Sequence, residues 1–362
     1  MAAPNNLTKF LTNEPKQVPV SRQMRLFVLS SLLTLFAFTL LTAYLSPFAY
    51  MASTSLKDLN MISTPGSPLL PYAQATMEYN GKEVKIYQVP TDEGVRELAL
   101  IKPGRQESTF IDPANPDGEP IVWQGKWRTL EPAFHLSPRW ENYSQAWTVL
   151  NFPLILRNTL AIALIGVVGT LMSCIATAYG FARFPIPYKN VLFLILISTI
   201  SLPRFVTLVP TYAVFTYIGW TGTWLPLIVP HFFANAYNVF LLRQFFLTIP
   251  RALDEAATID GANPLRILVS IIVPNSWPAI VAVSLFHFFY AWNDFFEPLI
   301  YLSSTPNLQP ISVAMQVFNA LYAQQPHLIQ ATAMLGLALP VLLFFMAQKV
   351  FLQGASMAGV SK

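Results

Sequence analysis

The sequence predicts an all-α polytopic membrane protein with six transmembrane helices and one small β-rich segment outside the membrane after the first of them. Three observations lead there. The 362 residues are 54% hydrophobic and 14% aromatic with only 11% charged, and the mean hydropathy of +0.46 exceeds what a soluble domain carries. Apolar runs recur at 26–50, 157–182, 190–214, 222–246, 274–302 and 328–351, each longer than the roughly 20 residues that cross a hydrocarbon core of about 30 Å. Lysine and arginine gather in alternate connections, the pattern expected of cytoplasmic loops.

Residues 1–25 form a polar tail in which Lys9, Lys16, Arg22 and Arg25 lead into the first apolar run. A secretory signal has a shorter apolar region and a small-residue cleavage site, so 26–50 is read as a retained helix with a cytoplasmic N-terminus. Residues 51–132 change character: charges, prolines and the turn pairs Asn80-Gly81 and Asp117-Gly118 separate alternating stretches such as EVKIYQV, RELALI and IVWQGKW. These read as strands. The remaining five runs lie in a core from 133 to 362. Arg183 and Lys189 follow the second run, Arg243, Arg251 and Arg266 the fourth, and Lys349 and Lys362 the last, whereas loops 215–221 and 303–327 hold no cation. Both termini are therefore expected inside and the β-rich segment outside, since long segments are translocated largely regardless of charge.

The composition also excludes. A net charge of +4 comes from scattered bases rather than a stripe or arm, which argues against nucleic acid. The single cysteine, Cys174, sits in an apolar run and reads as a small buried hydrophobe, and no metal site is expected. There is no GxxxxGK[ST] phosphate loop, HExxH, CxxC or GxSxG, so neither an ATPase nor another enzyme is expected within this chain.

The segment 250–274 stands out between two apolar runs. Pro250 suits a first helical turn, Arg251 to Ile259 are good helix formers, and Gly261 supplies a stop. Asn263 and Pro264 start a second short helix, and Pro274 marks the beginning of the fifth run. Leu253, Ala256, Ala257 and Ile259 are available to fill a groove, and Asp254, Glu255 and Asp260 offer carboxylates to a basic partner. On the residues alone, this is either an amphipathic loop resting on lipid headgroups or a helix-turn-helix that seats in another protein.

The pattern Glu255-Ala256-Ala257, three residues, Gly261, nine residues and Ile271-x-Val273-Pro274 resembles the EAA loop of ABC importer permeases, with Val273 where that family has Leu. Further segments are similar to the carbohydrate-uptake (maltose/maltodextrin-type) branch: ENY at 141–143, RNTLAIA at 157–163, YGFARF at 179–184, LLRQFFLTIPRALDEAATIDGA at 241–262, WNDFFEPLI at 292–300 and VFLQGASMAGVSK at 350–362. The resemblance covers 133 to the end together with the first helix. It implies the type I importer fold, with the helix after Pro250 as the coupling helix docked in a cytoplasmic ATPase subunit. Glu255 would meet a basic residue there, and Gly261 would make the turn. The tail 353–362, with Gln353, Gly354, Gly359 and Lys362, resembles that of subunits reaching into the ATPase dimer. The implied partners are a second homologous permease, an ATPase dimer carrying ATP and Mg, an extracytoplasmic sugar-binding protein and membrane lipid. The segment 51–132 departs from the family, whose first external loop is usually short. Nine Lys and Arg against twelve Asp and Glu over 52–150 leave it readable as a shielding decoration or as a docking surface for the binding protein or partner permease.

Ionisable groups within apolar runs cost roughly 2.5–3.5 kcal/mol on insertion scales, so each asks for a reason. Asp294 and Glu297 are three apart, on one face of a continuous fifth helix. Arg204 lies sixteen residues beyond Tyr188, roughly 24 Å along a straight helix. These groups read either as an arginine–carboxylate pair joining two spans or as substrate contacts. Sugars are bound by aromatic faces with amides and carboxylates, and His287, Tyr290, Trp292, Asn293 and Asp294 offer one such set, Asn235, Tyr237 and Asn238 another. His231 and His287 read as structural. The expected function is the permease subunit of an ATP-driven importer of a sugar or oligosaccharide in a bacterial cytoplasmic membrane. The alternatives are the same architecture importing glycerol phosphate or another polyol derivative, to which Arg204 and Arg157 point, an ion-coupled secondary transporter using Asp294 and Glu297, and a non-transporting membrane anchor.

Overall fold

The structure, a computed structural model, describes residues 20–63, 67–91, 94–320 and 323–359. Residues up to Ser53 belong to one compact unit and those from Thr54 onward to a second. Helix α1 (Val20–Ser55) runs for 36 residues, and from Met24 it is long and apolar enough to cross a membrane. Most of the expected tail 1–25 lies outside the described residues.

After the short helix α2 (Leu59–Ser63) come β1 (Tyr72–Gln74), β2 (Thr76–Tyr79), β3 (Lys82–Thr91), β4 (Gly94–Lys102), β5 (Glu107–Ile111), β6 (Ile121–Gln124), β7 (Glu131–Pro132) and β8 (Phe134–Leu136). The stretches EVKIYQV, RELALI and IVWQGKW lie on or across β3, β4 and β6. Strands β2 to β6 pair in sequence order with β7 added to β3, and β1 pairs with β8 in a separate ribbon. Successive strand residues point to opposite faces, so each strand supplies both layers. Ile86, Ala99 and Ile111 pack on one side, and Tyr87, Leu98 and Phe110 on the other.

The strands are tied at their base to the helical part that follows. Helix α3 (Glu141–Val149) carries Asn142, 5% exposed, whose Nδ2 donates to the carbonyls of Ser55 and Lys57 at 2.8 and 2.9 Å. The Tyr143 and Ser55 hydroxyls meet at 2.8 Å, and Arg139 pairs with Asp58 at 3.0 Å. Lys57 Nζ donates to the Pro68 carbonyl at 2.7 Å, and burial lowers its pKa from the ordinary lysine value. The ENY segment thus closes a neck that ties the start of the strand-rich segment, at Ser55 to Asp58, to the helical part that follows it.

Helix α4 (Phe152–Arg183) spans 32 residues, about 48 Å at 1.5 Å per residue, and packs against α8 (Ala236–Thr248) and α12 (Trp277–Asn293). Its N-terminal part is fixed by the RNT segment. Asn158 Nδ2 donates to the carbonyls of Asn307 and Gln309 at 2.8 and 3.1 Å, and Thr159 Oγ1 accepts from the Ile311 amide at 2.9 Å. Around its C-terminal half Ala178, Val239, Leu242, Phe246, Ile272 and Val283 form a core in which Cys174 is wholly buried.

Two of the expected spans are not straight. Residues Lys189–Ser201 and Arg204–Tyr217 meet at 96°, and Pro264–Asn275 and Trp277–Asn293 at 82°. Leu202 precedes Pro203 and is extended (ψ 119°), as residues before proline favour. The second break, at Ser276, has a proline on either side, Pro274 in the short helix before it and Pro278 in the first turn of α12, and proline cannot donate to the preceding turn. Among the described residues four helices are long and apolar enough to span, or up to six if each bent pair counts as one span. The straight-helix rise for Arg204 therefore does not hold, because Arg204 opens α6 (Arg204–Tyr217) beyond the break. Nor do Asp294 and Glu297 share a helix: Asp294 caps α12 in extended conformation, and Glu297 lies in a following six-residue helix, Phe296–Tyr301.

Replacing Asn142 by Ala removes the two hydrogen bonds from its Nδ2 to the carbonyls of Ser55 and Lys57, a loss of about 1–3 kcal/mol. Limited trypsin treatment of the purified protein is expected to cut at Arg139 faster than in the wild type, with a lower thermal midpoint; an unchanged cleavage pattern and midpoint would remove the neck from the stabilising contacts.

Candidate functional site

The 250–274 segment forms a helix-turn-helix. Helix α9 (Arg251–Ile259) follows Pro250, whose extended backbone gives it a sharp start. It ends in a Schellman turn, the Gly261 amide donating to the Thr258 carbonyl at 3.0 Å and the Ala262 amide to that of Ala257 at 2.9 Å. Gly261 has φ +80° with open space where a Cβ would go, so the backbone angle, not crowding, calls for glycine. Asn263 Oδ1 then accepts the Arg266 amide at 2.8 Å and caps α10 (Pro264–Ile267), which continues through a π-helical turn, Leu268–Ile272, to α11 (Val273–Asn275).

The named side chains of α9 divide into two sets. Leu253, Glu255, Ala256, Ile259 and Asp260 are exposed, Ile259 at 88%, whereas Ala257 packs on the core around Phe246. Asp254 was expected to face a partner and instead is held inside the chain. Its Oδ2 lies 2.8 Å from Arg183 Nε at the end of α4, with 18% and 6% of the two side chains exposed. The contact lies off the N–H axis, so it is an ion pair rather than a hydrogen bond. Arg183 Nη2 also donates to the Ile249 carbonyl at 2.9 Å, and Tyr179 Oη to the Pro264 carbonyl at 3.2 Å. Arg243 Nε donates to the Phe181 carbonyl at 3.4 Å. The YGFARF segment therefore holds both halves of the helix-turn-helix, a role its sequence signalled only as a resemblance.

A second cluster lies at the helix breaks. Arg204 Nη2 donates to Asp294 Oδ1 at 2.9 Å and its Nε to Glu297 Oε1 at 3.0 Å, with the guanidinium 5.1 Å from the Tyr290 ring centre. One cation thus serves two carboxylates and stitches α6 to the end of α12. Beside it a cleft of about 430 Å³ is lined by His231, Asn235, Tyr237, Asn238, Phe286, His287 and Tyr290. The two expected sets converge here, with His231 added. His287 Nδ1 meets Thr170 Oγ1 at 3.1 Å, and its Nε2 is buried without a hydrogen bond among the described residues. A Cβ on Gly166 would fall 2.7 Å from that nitrogen, so the close approach of α12 to α4 needs glycine there. Three expected residues do not line it: Asp294 is paired with Arg204 beside the cleft, and Trp292 and Asn293 lie elsewhere. Trp292 is 7% exposed in a core with Phe288, and Asn293 Nδ2 donates to the Phe289 carbonyl one turn back. Arg157 donates to Asn158 Oδ1 at 3.1 Å and does not line the cleft. Gln353, Gly354 and Gly359 fall within the helix Pro326–Gly359, and Lys362 lies outside the described residues.

Residues 169–353 match the family described as binding-protein-dependent transport system inner membrane component. The chain is 30% identical over 253 residues to the osmoprotective compounds uptake permease protein GgtD of Synechocystis sp., covering 68% of this chain and 83% of that one. It is 31% identical over 237 residues to the sn-glycerol-3-phosphate transport system permease protein UgpE of Pectobacterium atrosepticum, covering 62% and 82%. Its fold matches a chain of a bacterial ABC transporter involved in the import of the acidic polysaccharide alginate, with a TM-score of 0.59 at 18% identity over 92% of this chain and 98% of that chain.

Arg183→Ala leaves Asp254 buried and unpaired, and breaking such a pair from one side costs about 3–5 kcal/mol. Tryptic cleavage at Arg251 and Arg266 in the purified protein is expected to accelerate, and Arg183→Ala with Asp254→Ala to restore part of the protection. Equal protection in all three proteins would show that α9 is held by its apolar contacts alone.

Proposed function

The chain belongs to the family of binding-protein-dependent transport system inner membrane components, and on that premise we propose that it is one of two non-identical permease subunits of an ATP-driven importer for a neutral sugar or oligosaccharide. It is a transport subunit and not itself an enzyme; hydrolysis belongs to partner chains that carry ATP and Mg. The observation that carries this reading is α9. The helix is held to α4 by Asp254 and Ala257, yet turns Leu253, Glu255, Ala256 and Ile259 outward, which suits insertion into a cleft of an ATPase subunit with Glu255 against a basic residue. A membrane-resting loop would have no need of a buried ion pair to fix its angle.

In this reading the two bent pairs count as one span each, giving six with α1. The termini lie with α9 on the cytoplasmic side, and the tail 353–362 reaches the ATPase dimer. Residues 51–132 are extracytoplasmic and 133–362 form the permease core. Arg183, Lys189, Arg243, Arg251 and Arg266 collect toward the C-terminal end of α4, and the strands join near its N-terminal end, which supports that orientation.

For the cargo, the cleft offers amides, hydroxyls, imidazoles and aromatic faces, groups suited to neutral hydroxylated rings. Arg204 is already shared by two carboxylates, so the cluster carries net negative charge and disfavours an anion. A second reading, a phosphorylated polyol, has in its favour the similarity to the glycerol-3-phosphate permease.

In proteoliposomes containing the full complex and its binding protein, uptake of a neutral oligosaccharide is expected to require ATP and to survive a protonophore. Glu255→Lys should lower it at least tenfold while the other chains still co-purify. Uptake that follows an ion gradient without ATP would overturn the reading. Wild-type uptake of labelled glycerol 3-phosphate that Arg204→Gln abolishes would establish the second.

A further inference from the structure

The edge of the strand-rich segment farthest from β2 in the sheet carries a groove that the transport reading does not use. The β4–β5 ladder shifts register between Leu100 and Lys102, placing Lys102 opposite Thr109; such a bulge re-aims side chains at an edge. Two adjoining concavities of about 830 and 690 Å³ share the turn Pro103, Gly104 and Arg105. Their cations are Lys102, Arg105, Lys126 and Arg128, and their one carboxylate is Glu107. The surrounding region 52–150 has nine basic residues against twelve acidic, so positive charge is concentrated here against the regional balance. None of the four cations forms an ion pair with a carboxylate among the described residues.

The groove is also pre-shaped. The Gly125 amide donates to the Gln106 carbonyl at 2.6 Å and joins the two loops, and the Gly104 amide donates to Oγ of buried Ser108 at 3.1 Å. The tryptophan that lines it, Trp127, is occupied. Trp127 sits edge-to-face on Tyr87 at 5.9 Å, with the Arg128 guanidinium 5.3 Å from its ring centre. With no free aromatic platform the groove suits carboxylates on a protein better than the rings of a sugar.

We propose that this groove docks an acidic, carboxylate-bearing face of the soluble solute-binding protein. The proposal rests on the permease reading, in which the strands lie on the side from which cargo is delivered. The neck at Asn142 joins them near the N-terminal end of α4, and α9 is held at the other end, about 48 Å away along a helix of that length. A docked protein on a fixed neck would be positioned over the membrane core, and steering by opposite charge raises the rate of encounter.

The test uses the full complex in lipid nanodiscs with its purified binding protein, measuring ATPase activity against binding-protein concentration. Arg105→Glu with Lys126→Glu and Arg128→Glu is expected to raise the half-saturating concentration at least tenfold and leave the rate at saturation unchanged. Rising salt should weaken the wild type and not the variant. An unchanged concentration dependence, in a variant whose thermal midpoint matches the wild type, would overturn the proposal, as would an effect confined to discs of anionic lipid, which would assign the groove to headgroups. A wild-type complex that shows no stimulation by any binding protein would instead sink the permease reading, so the two failures are distinct.

Discussion

A buried ion pair at one end of the 32-residue helix α4 sets the geometry of everything beyond it. Arg183 ends α4, and Asp254 lies in the first turn of α9; with one group removed, the other would be left in a protein interior without compensation. The pair therefore fixes the angle at which α9 leaves the core. Tyr179 on the preceding turn fixes the start of α10 through a backbone carbonyl. The outward face of α9 is free to meet another protein because its inward face is already held. An exposed helix of nine residues would have little stability without such tertiary contacts.

The other end of α4 is held by different chemistry. There the contacts are amide and hydroxyl side chains on backbone carbonyls and amides: Asn158 on Asn307 and Gln309, Thr159 on Ile311, and Asn142 on Ser55 and Lys57. Buried backbone groups require partners, and these side chains supply them where irregular segments approach the helix. The short ENY and RNT segments are thus explained by hydrogen bonding, just as YGFARF is explained by charge and a phenol.

Local chemistry was legible in the sequence, and long-range pairing was not. The bounds of α9, the Gly261 turn and the Asn263 cap followed from residues within a few positions of one another. Alternation placed strands where β3, β4 and β6 lie. The two helix breaks were hidden because the composition stays apolar across Leu202-Pro203 and Ser276, and a hydropathy run does not register direction. Asp254 looked available for a partner because its cation lies on another element. Trp292 looked like a sugar platform, since sequence does not say on which side of a helix the neighbouring helix packs. For Arg204, Asp294 and Glu297 the ion-pair reading is the one the geometry holds, and the cleft beside them drew in His231, whose partner His287 lies 4.4 Å away between ring centres.

Because α4 is straight enough to count as one helix and is gripped at both ends, it is a rigid rod with a handle at each end. A tilt of about 5° about the midpoint of a rod of about 48 Å carries each end about 2 Å in opposite directions, a distance comparable to the difference between a made and a broken hydrogen bond. Gly166 sits near the middle of that rod with no room for even a methyl group against His287. The place where the rod moves least is therefore also a place where it has no room to spare against its neighbour, as at the pivot of a balance.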